Sequence, residues 1–339
     1  MDFTPVIAAL VAFAICAVSG KIVIPFLHKL KFGQTILDIG PKWHEKKQGT
    51  PTMGGIMIAL GLFSGVAVAI SFAMVFDTGL KNYFGLSYNL TRFIAGIALA
   101  LGMGLIGFFD DYIKVVKKRN LGLTAKQKTM LQLLVSAGYL ATLYLSGVTT
   151  TWLPFIGDIS VVSGFGLLFW PIALMFIYGF TNAVNLTDGI DGLAASVTLV
   201  VASAFLIASG YLSNYGYNTI SAALAGACMG FLVWNSHPAK VFMGDTGSMF
   251  LGGAVVALSF GIGRPILLIL IGFIYLAEAF SVMLQVAVFK KTGKRIFKMS
   301  PIHHHFELSG WSEEKIVTVF SLITFVFSAV AILPILLNL

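Results

Sequence analysis

The chain has 339 residues, of which 58% are hydrophobic and only 11% charged, and it carries a formal net charge of +8 at pH 7. So little polar surface cannot cover a water-facing globule, which excludes an ordinary soluble domain and makes this an integral membrane protein. Cys16 and Cys228 both sit inside apolar runs, where a thiol acts as a small hydrophobe, so no disulfide framework is implied.

Runs of about 20 apolar residues predict ten spans, near 6–27, 53–75, 92–109, 129–148, 164–180, 192–209, 218–234, 248–262, 265–289 and 315–337. The first lacks a basic segment before it and ends in Lys21, His28, Lys29 and Lys31, which argues for a retained span over a cleaved signal peptide. The eighth is the weakest, being short and parted from the ninth only by Gly261, Gly263, Arg264 and Pro265. Charge supports it. Of the 22 Lys and Arg residues, 18 fall in or beside four alternate loops, 28–52, 110–128, 235–247 and 290–315. The positive-inside rule makes these loops cytoplasmic. An even number of crossings must then separate Lys240 from Lys290, so both the eighth and ninth segments cross. The expected architecture is an all-α polytopic membrane protein of one domain, residues 1–339, with about ten spans, both termini outside and its active site on the cytoplasmic face.

Five aspartates stand at the ends of these spans: Asp110, Asp111, Asp188, Asp191 and Asp245, in a chain with only 14 acidic residues. A carboxylate inside the hydrocarbon layer costs about 2.5–3.5 kcal/mol on lenient scales, so acids kept at its edge mark an ion or substrate site. Two carboxylates 5 Å apart repel by roughly 3 kcal/mol at an effective dielectric near 20, which calls for a cation. Oxygen ligands without thiolates favour Mg²⁺ over zinc, and Mg²⁺ characteristically joins carboxylates to a substrate's phosphates.

Lys42, Lys46, Lys47 and the turn Gly49-Thr-Pro-Thr-Met-Gly-Gly open the second span, where Lys47 and Thr52 are placed to grip an anion. Asp110 and Asp111 are adjacent, so on a helix their side chains diverge by about 100° and need different tasks. One could face a metal or nucleophile while the other orients Lys114, Lys117 or Lys118. Acids at a helix C-terminus oppose the macrodipole, which disfavours a merely structural role. Asn182, Asn185, Asp188, Gly189 and Asp191 belong to a run dense in amides, carboxylates and glycines. If Asp188 and Asp191 share the first turn of the sixth span, they share a face; the plainer alternative makes Thr187 or Asp188 an N-cap. Asp245 lies between Gly244 and Gly247, beside Thr246 and Ser248, in a loop that feeds a helix N-terminus and suits an anion, or else simply caps that helix. Glu278, mid-span, is either a functional acid or the support of a bent helix, with Gln285 two turns beyond. The loop 290–307 joins lysines to His303, His304 and His305, whose side chains must diverge, which favours phosphate hydrogen bonding or proton handling over a shared metal.

Gly49-Thr-Pro-Thr-Met-Gly-Gly, Phe109-Asp-Asp-Tyr, Asn185-Leu-Thr-Asp-Gly-Ile-Asp-Gly-Leu-Ala, Phe242-Met-Gly-Asp-Thr-Gly-Ser and Pro301-Ile-His-His-His-Phe-Glu together resemble the polyprenyl-phosphate N-acetylhexosamine-1-phosphate transferase superfamily, and within it the phospho-N-acetylmuramoyl-pentapeptide transferases. The resemblance runs over nearly the whole chain. It implies a Mg²⁺-dependent enzyme of peptidoglycan synthesis in the bacterial inner membrane. UDP-N-acetylmuramoyl-pentapeptide and undecaprenyl phosphate would yield lipid I and UMP, within membrane lipid and without nucleic acid, and a homodimer is compatible with this. It further implies Asp245 as metal ligand, with Asp110, Asp111, Asp245 and His303 catalytic. Lys47, Thr52, Asn182, Asn185, Asp188, Gly189, Asp191, Asn235, Phe242, Gln285, Ser300, His304 and His305 would bind substrate, Phe242 as a stacking surface for uracil. One rival is transfer of N-acetylglucosamine-1-phosphate to the same type of lipid. The other, a cation-coupled transporter, would place its acids near midplane in paired repeats, whereas five here lie at span ends and no repeat is evident.

Overall fold

A computed structural model describes residues 2–29, 49–76, 78–116 and 122–337. Thirteen helices lie among them: α1 (Thr4–Lys29), α2 (Gly55–Phe76), α3 (Gly79–Phe84), α4 (Ser87–Val116), α5 (Ala125–Leu145), α6 (Phe169–Thr187), α7 (Leu193–Tyr211), α8 (Tyr215–Asn235), α9 (Gly244–Gly261), α10 (Leu267–Ile271), α11 (Phe273–Thr292), α12 (Ile302–Glu307) and α13 (Glu313–Leu336). Eight, namely α1, α2, α4, α6, α7, α8, α11 and α13, are long and apolar enough to cross a bilayer, whose hydrocarbon core is about 30 Å thick. The protein is therefore a polytopic helical membrane protein.

The fourth and eighth predicted spans are present as α5 and α9 but are less apolar than the others. Helix α5 starts earlier than expected, at a capping box in which Thr124 and Gln127 exchange hydrogen bonds, so its first turns carry Lys126, Gln127 and Lys128. Helix α9 opens on Asp245, Thr246 and Ser248, and all its residues from Thr246 to Phe260 are buried. It is the inner post of the bundle, packed on α4 along one side and α6 along another, while α1 lies against α2 and α8, and α7 against α8 and α13. The ninth predicted span is broken, α10 ending at Ile271 and α11 beginning at Phe273, with Gly272 between them.

Two further elements depart from the all-helical expectation. Thr150–Leu153 (β1) and Gly157–Ser160 (β2) form an antiparallel hairpin in register Thr150 with Ser160. Its Trp152 N–H donates to Gly263 O at 3.3 Å, and its ring lies 4.1 Å beneath the Arg264 guanidinium, which fastens the hairpin to the link between α9 and α10. A short 3₁₀ turn, Gly164–Leu168, then leads into α6.

Candidate active site

Asp110 and Asp111 lie in the last two turns of α4, which runs on to Val116 past the expected end of the third span, and Asp245 stands on the first turn of α9. The two helices approach closely because Gly107 has no side chain: a Cβ there would fall on the Asp245 carbonyl. One oxygen of each carboxylate consequently lies within 4.8 Å of the other two. Lys114, a turn beyond Asp110, brings Nζ to 2.6 Å from Asp110 Oδ2, 3.6 Å from Asp111 Oδ1 and 3.1 Å from Asp245 Oδ2. Lys128 of α5 reaches Asp245 Oδ2 at 2.8 Å.

Each carboxylate also has a partner of its own. Asp110 Oδ1 accepts from Leu123 N at 2.8 Å, Asp111 Oδ2 accepts from Thr246 N at 2.9 Å and Thr246 Oγ1 at 2.8 Å, and Asp245 Oδ1 accepts from Asn185 Nδ2 at 2.9 Å. The same amide donates to Ser248 Oγ at 2.7 Å. Adjacency thus gives Asp110 and Asp111 separate backbone partners, but it does not keep them from one common charge, because Lys114 reaches both. The expectation that one of them orients a basic neighbour is met at Lys114, which both acids reach, while Lys117 and Lys118 lie outside the described residues. Three carboxylates face two ammonium groups, which leaves one negative charge in excess, and every candidate donor is oxygen. That set suits a hard cation such as Mg²⁺.

Thr52 enters through a seam of main-chain bonds. Phe242 N donates to Pro51 O at 2.8 Å, Gly54 N to Phe242 O at 2.8 Å and Gly55 N to Met243 O at 3.0 Å. Gly244 follows at φ +67°, a backbone region that disfavours side chains. A Cβ on it would lie 2.5 Å from Thr52 Oγ1 and 2.6 Å from Asp111 Oδ2, so Thr52 adjoins the acid cluster. Phe242 is half-buried on the same seam. Lys47 lies outside the described residues.

The remaining predicted residues divide. Asp188 and Asp191 do not share a first helical turn: Asp188 caps the C-terminus of α6, and Gly192, left-handed, precedes α7. Burial raises the Asp188 carboxyl well above its ordinary range, and the negative charges of Asp245, Asp111 and Asp191 raise it further. Asp191 belongs to a second group with His237 and Glu313. Its Oδ2 lies 2.9 Å from His237 Nδ1 and accepts from Ala239 N at 3.0 Å, while its own N–H donates to Glu313 Oε2 at 3.0 Å. Asn235 joins Gly192 N (3.1 Å) to Val241 O (2.9 Å), and Gln285 Oε1 accepts from Ile296 N and Phe297 N, both at 3.0 Å. These two amides hold loops. Asn182 exchanges hydrogen bonds with Gln132 of α5, at 3.2 and 3.3 Å.

The three imidazoles diverge, as adjacency requires. His303 is buried against Gly189, where a Cβ would fall on its Nε2, and its Nδ1 lies 3.1 Å from Glu278 Oε1. His304 Nδ1 lies 2.6 Å from Glu307 Oε2, and His305 Nδ1 accepts from Lys298 N at 3.2 Å. Ser300 is half-buried, just ahead of α12. Sequence reasoning missed Lys128, Thr246 as an Asp111 donor, and the partnership of His237 with Glu313. Lys128 was counted only as a loop charge, and nothing local marks the other two.

The family description for glycosyl transferase family 4 matches residues 93–262, and the first signature of the phospho-N-acetylmuramoyl-pentapeptide transferases matches residues 47–58. The phospho-N-acetylmuramoyl-pentapeptide-transferase of Desulforamulus reducens is 47% identical, over 98% of this chain and 96% of its own. Its counterparts in Clostridium perfringens (46% identical, 96% of this chain and 97% of the relative) and Halalkalibacterium halodurans (45% identical, 95% of each) align similarly. A membrane helix bundle with a carboxylate cluster at its helix ends, matched along nearly its full length by such relatives, belongs to the family of phospho-N-acetylmuramoyl-pentapeptide transferases.

Proposed function

We propose that the protein transfers phospho-N-acetylmuramoyl-pentapeptide from its UDP-linked donor to undecaprenyl phosphate, forming lipid I and releasing UMP at the cytoplasmic face of the bacterial cell membrane. The observation that carries this reading is the excess of carboxylate over ammonium where Asp110, Asp111 and Asp245 meet Lys114 and Lys128. The reaction exchanges one phosphoanhydride for another. Its barrier is the approach of an anionic lipid phosphate to an anionic pyrophosphate, so catalysis is charge neutralisation and alignment.

Asp245, with Asp110 and Asp111 beside it, would hold Mg²⁺, which when bound neutralises phosphate charge. Lys114 and Lys128, now paired with carboxylates, are the cations near enough to follow the pyrophosphate oxygens. Asn185 fixes the Asp245 carboxylate by its Oδ1 and leaves Oδ2 for the cations. Half-buried Asp188, its carboxyl raised above the ordinary range by burial and by the neighbouring negative charges, would hydrogen-bond the donor nucleotide. Counting α5 and α9 as crossings gives ten spans, puts both termini outside and brings all five aspartates to the lysine-rich side.

Donor choice tests the reading. Purified protein with Mg²⁺ and undecaprenyl phosphate should release UMP from UDP-N-acetylmuramoyl-pentapeptide and not from UDP-N-acetylglucosamine; the opposite preference would reject it.

A further inference from the structure

Glu278 lies on α11 and His303 on α12, and neither side chain has any exposed surface. The carboxylate faces two nitrogens of the one residue: Oε2 accepts from the His303 main-chain N–H at 3.4 Å, and Oε1 stands 3.1 Å from the imidazole Nδ1. Oε1, Nδ1 and Nε2 have no hydrogen-bond partner among the described residues, with Nδ1 and Oε1 at bonding distance but out of line. The far nitrogen, Nε2, is directed at Gly189, whose missing Cβ is what admits the ring. Gly189 follows Asp188 at the end of α6, the helix whose Asn185 fixes Asp245.

An ionised carboxylate can only accept, so two nitrogens facing its two oxygens are both served best as donors. The main-chain N–H is one by necessity. A proton on Nδ1 satisfies the other, and in histidine the bond made by one ring nitrogen decides what the opposite nitrogen can do.

We infer that Glu278 is a positioning residue of the transferase: it keeps a proton on His303 Nδ1 and holds the ring packed against Gly189, next to Asp188 and beside the acid cluster. The inference rests on the transferase reading for its kinetic consequence but not for its proton. Glu278→Gln keeps the shape and removes one acceptor. The amide oxygen goes to the main-chain N–H, the amide NH₂ faces Nδ1, and the proton moves to Nε2.

The test uses full-length protein in detergent micelles, labelled with ¹⁵N-histidine, with the His303 resonances assigned by their loss in His303→Gln. The wild type should carry a proton on Nδ1, and Glu278→Gln should lose it. UMP release should fall on the order of a hundredfold, the scale of a displaced supporting group, with cooperative thermal unfolding retained. In the His303→Gln background the Glu278→Gln change should cost nothing more, since Glu278 acts through that ring. A neutral wild-type imidazole protonated on Nε2 would overturn the inference without any Glu278 variant. So would additive losses in the double-mutant cycle. A wild type that shows the expected Nδ1 proton but transfers no phosphosugar would instead refute the transferase reading.

Discussion

Lys128→Met is the sharpest test of the charge arrangement around Asp245. Lys128 Nζ lies 2.8 Å from Asp245 Oδ2, and the two side chains are 19% and 21% exposed. At an effective dielectric near 20 their attraction is about 6 kcal/mol before desolvation is subtracted. Partial exposure and the desolvation of both ions reduce this to the range of a hydrogen bond to a charged group, about 1.5–3 kcal/mol. That energy stabilises the cluster without metal, and Mg²⁺ arriving at Asp245 must overcome it. Methionine keeps the apolar length and removes the charge. Half-saturating Mg²⁺ should therefore fall by roughly 10- to 150-fold, at about 1.4 kcal/mol per decade. Maximal UMP release should fall as well, because a cation for the pyrophosphate is gone. A Mg²⁺ titration of UMP release, paired with calorimetric titration of the metal, reads both effects. Half-saturation that stays the same or rises would show that Lys128 does not compete for Asp245, and the reasoning would fail.

Three other substitutions probe the frame. Asn185→Ala removes the donor to Asp245 Oδ1 and Ser248 Oγ and should slow UMP release with a stability loss of about 1–3 kcal/mol, the penalty for leaving buried acceptors unmatched; an unchanged rate would remove Asn185 from the site. Gly107→Ala must push α4 from α9, since its Cβ meets the Asp245 carbonyl; it should lower both the melting temperature and activity, more so than Gly138→Ala on α5, where a Cβ meets nothing within 4 Å. Asn235→Ala breaks the tie between Gly192 and Val241, so it should destabilise by about 1–3 kcal/mol in thermal unfolding, with any loss of UMP release at low temperature smaller than that of Asn185→Ala.

The helices and the acid cluster were legible because both rest on one physical fact, the expense of charge beside hydrocarbon. Apolar runs located eight spanning helices, and Asp110, Asp111 and Asp245 stood out where charge was scarce. The fourth and eighth spans are weak in apolar character because of their first turns: the polar residues that build the site on α9 are the ones that lower it. The hairpin at Thr150–Ser160 left a signal in its threonines and in Pro154 and Gly157, but span-length reading passes over four-residue strands. Pairs distant in sequence were not readable at all. Lys128 with Asp245 and Glu278 with His303 depend on which helices become neighbours, and composition and periodicity carry no information about that.

The seam between Pro51–Gly55 and Phe242–Met243 is made entirely of main-chain groups. Its hydrogen bonds transmit register without involving the side chains of Thr52 and Phe242, although Gly54 and Gly55 must stay small, since a Cβ on them would meet Val241 and Gly247. Thr52 and Phe242 can therefore be exchanged for other side chains while Gly244 still delivers Asp245 to the same place beside Asp111. On the proposed function, the joint would let the side chains along the seam vary with the substrate while the acid cluster behind them keeps its place.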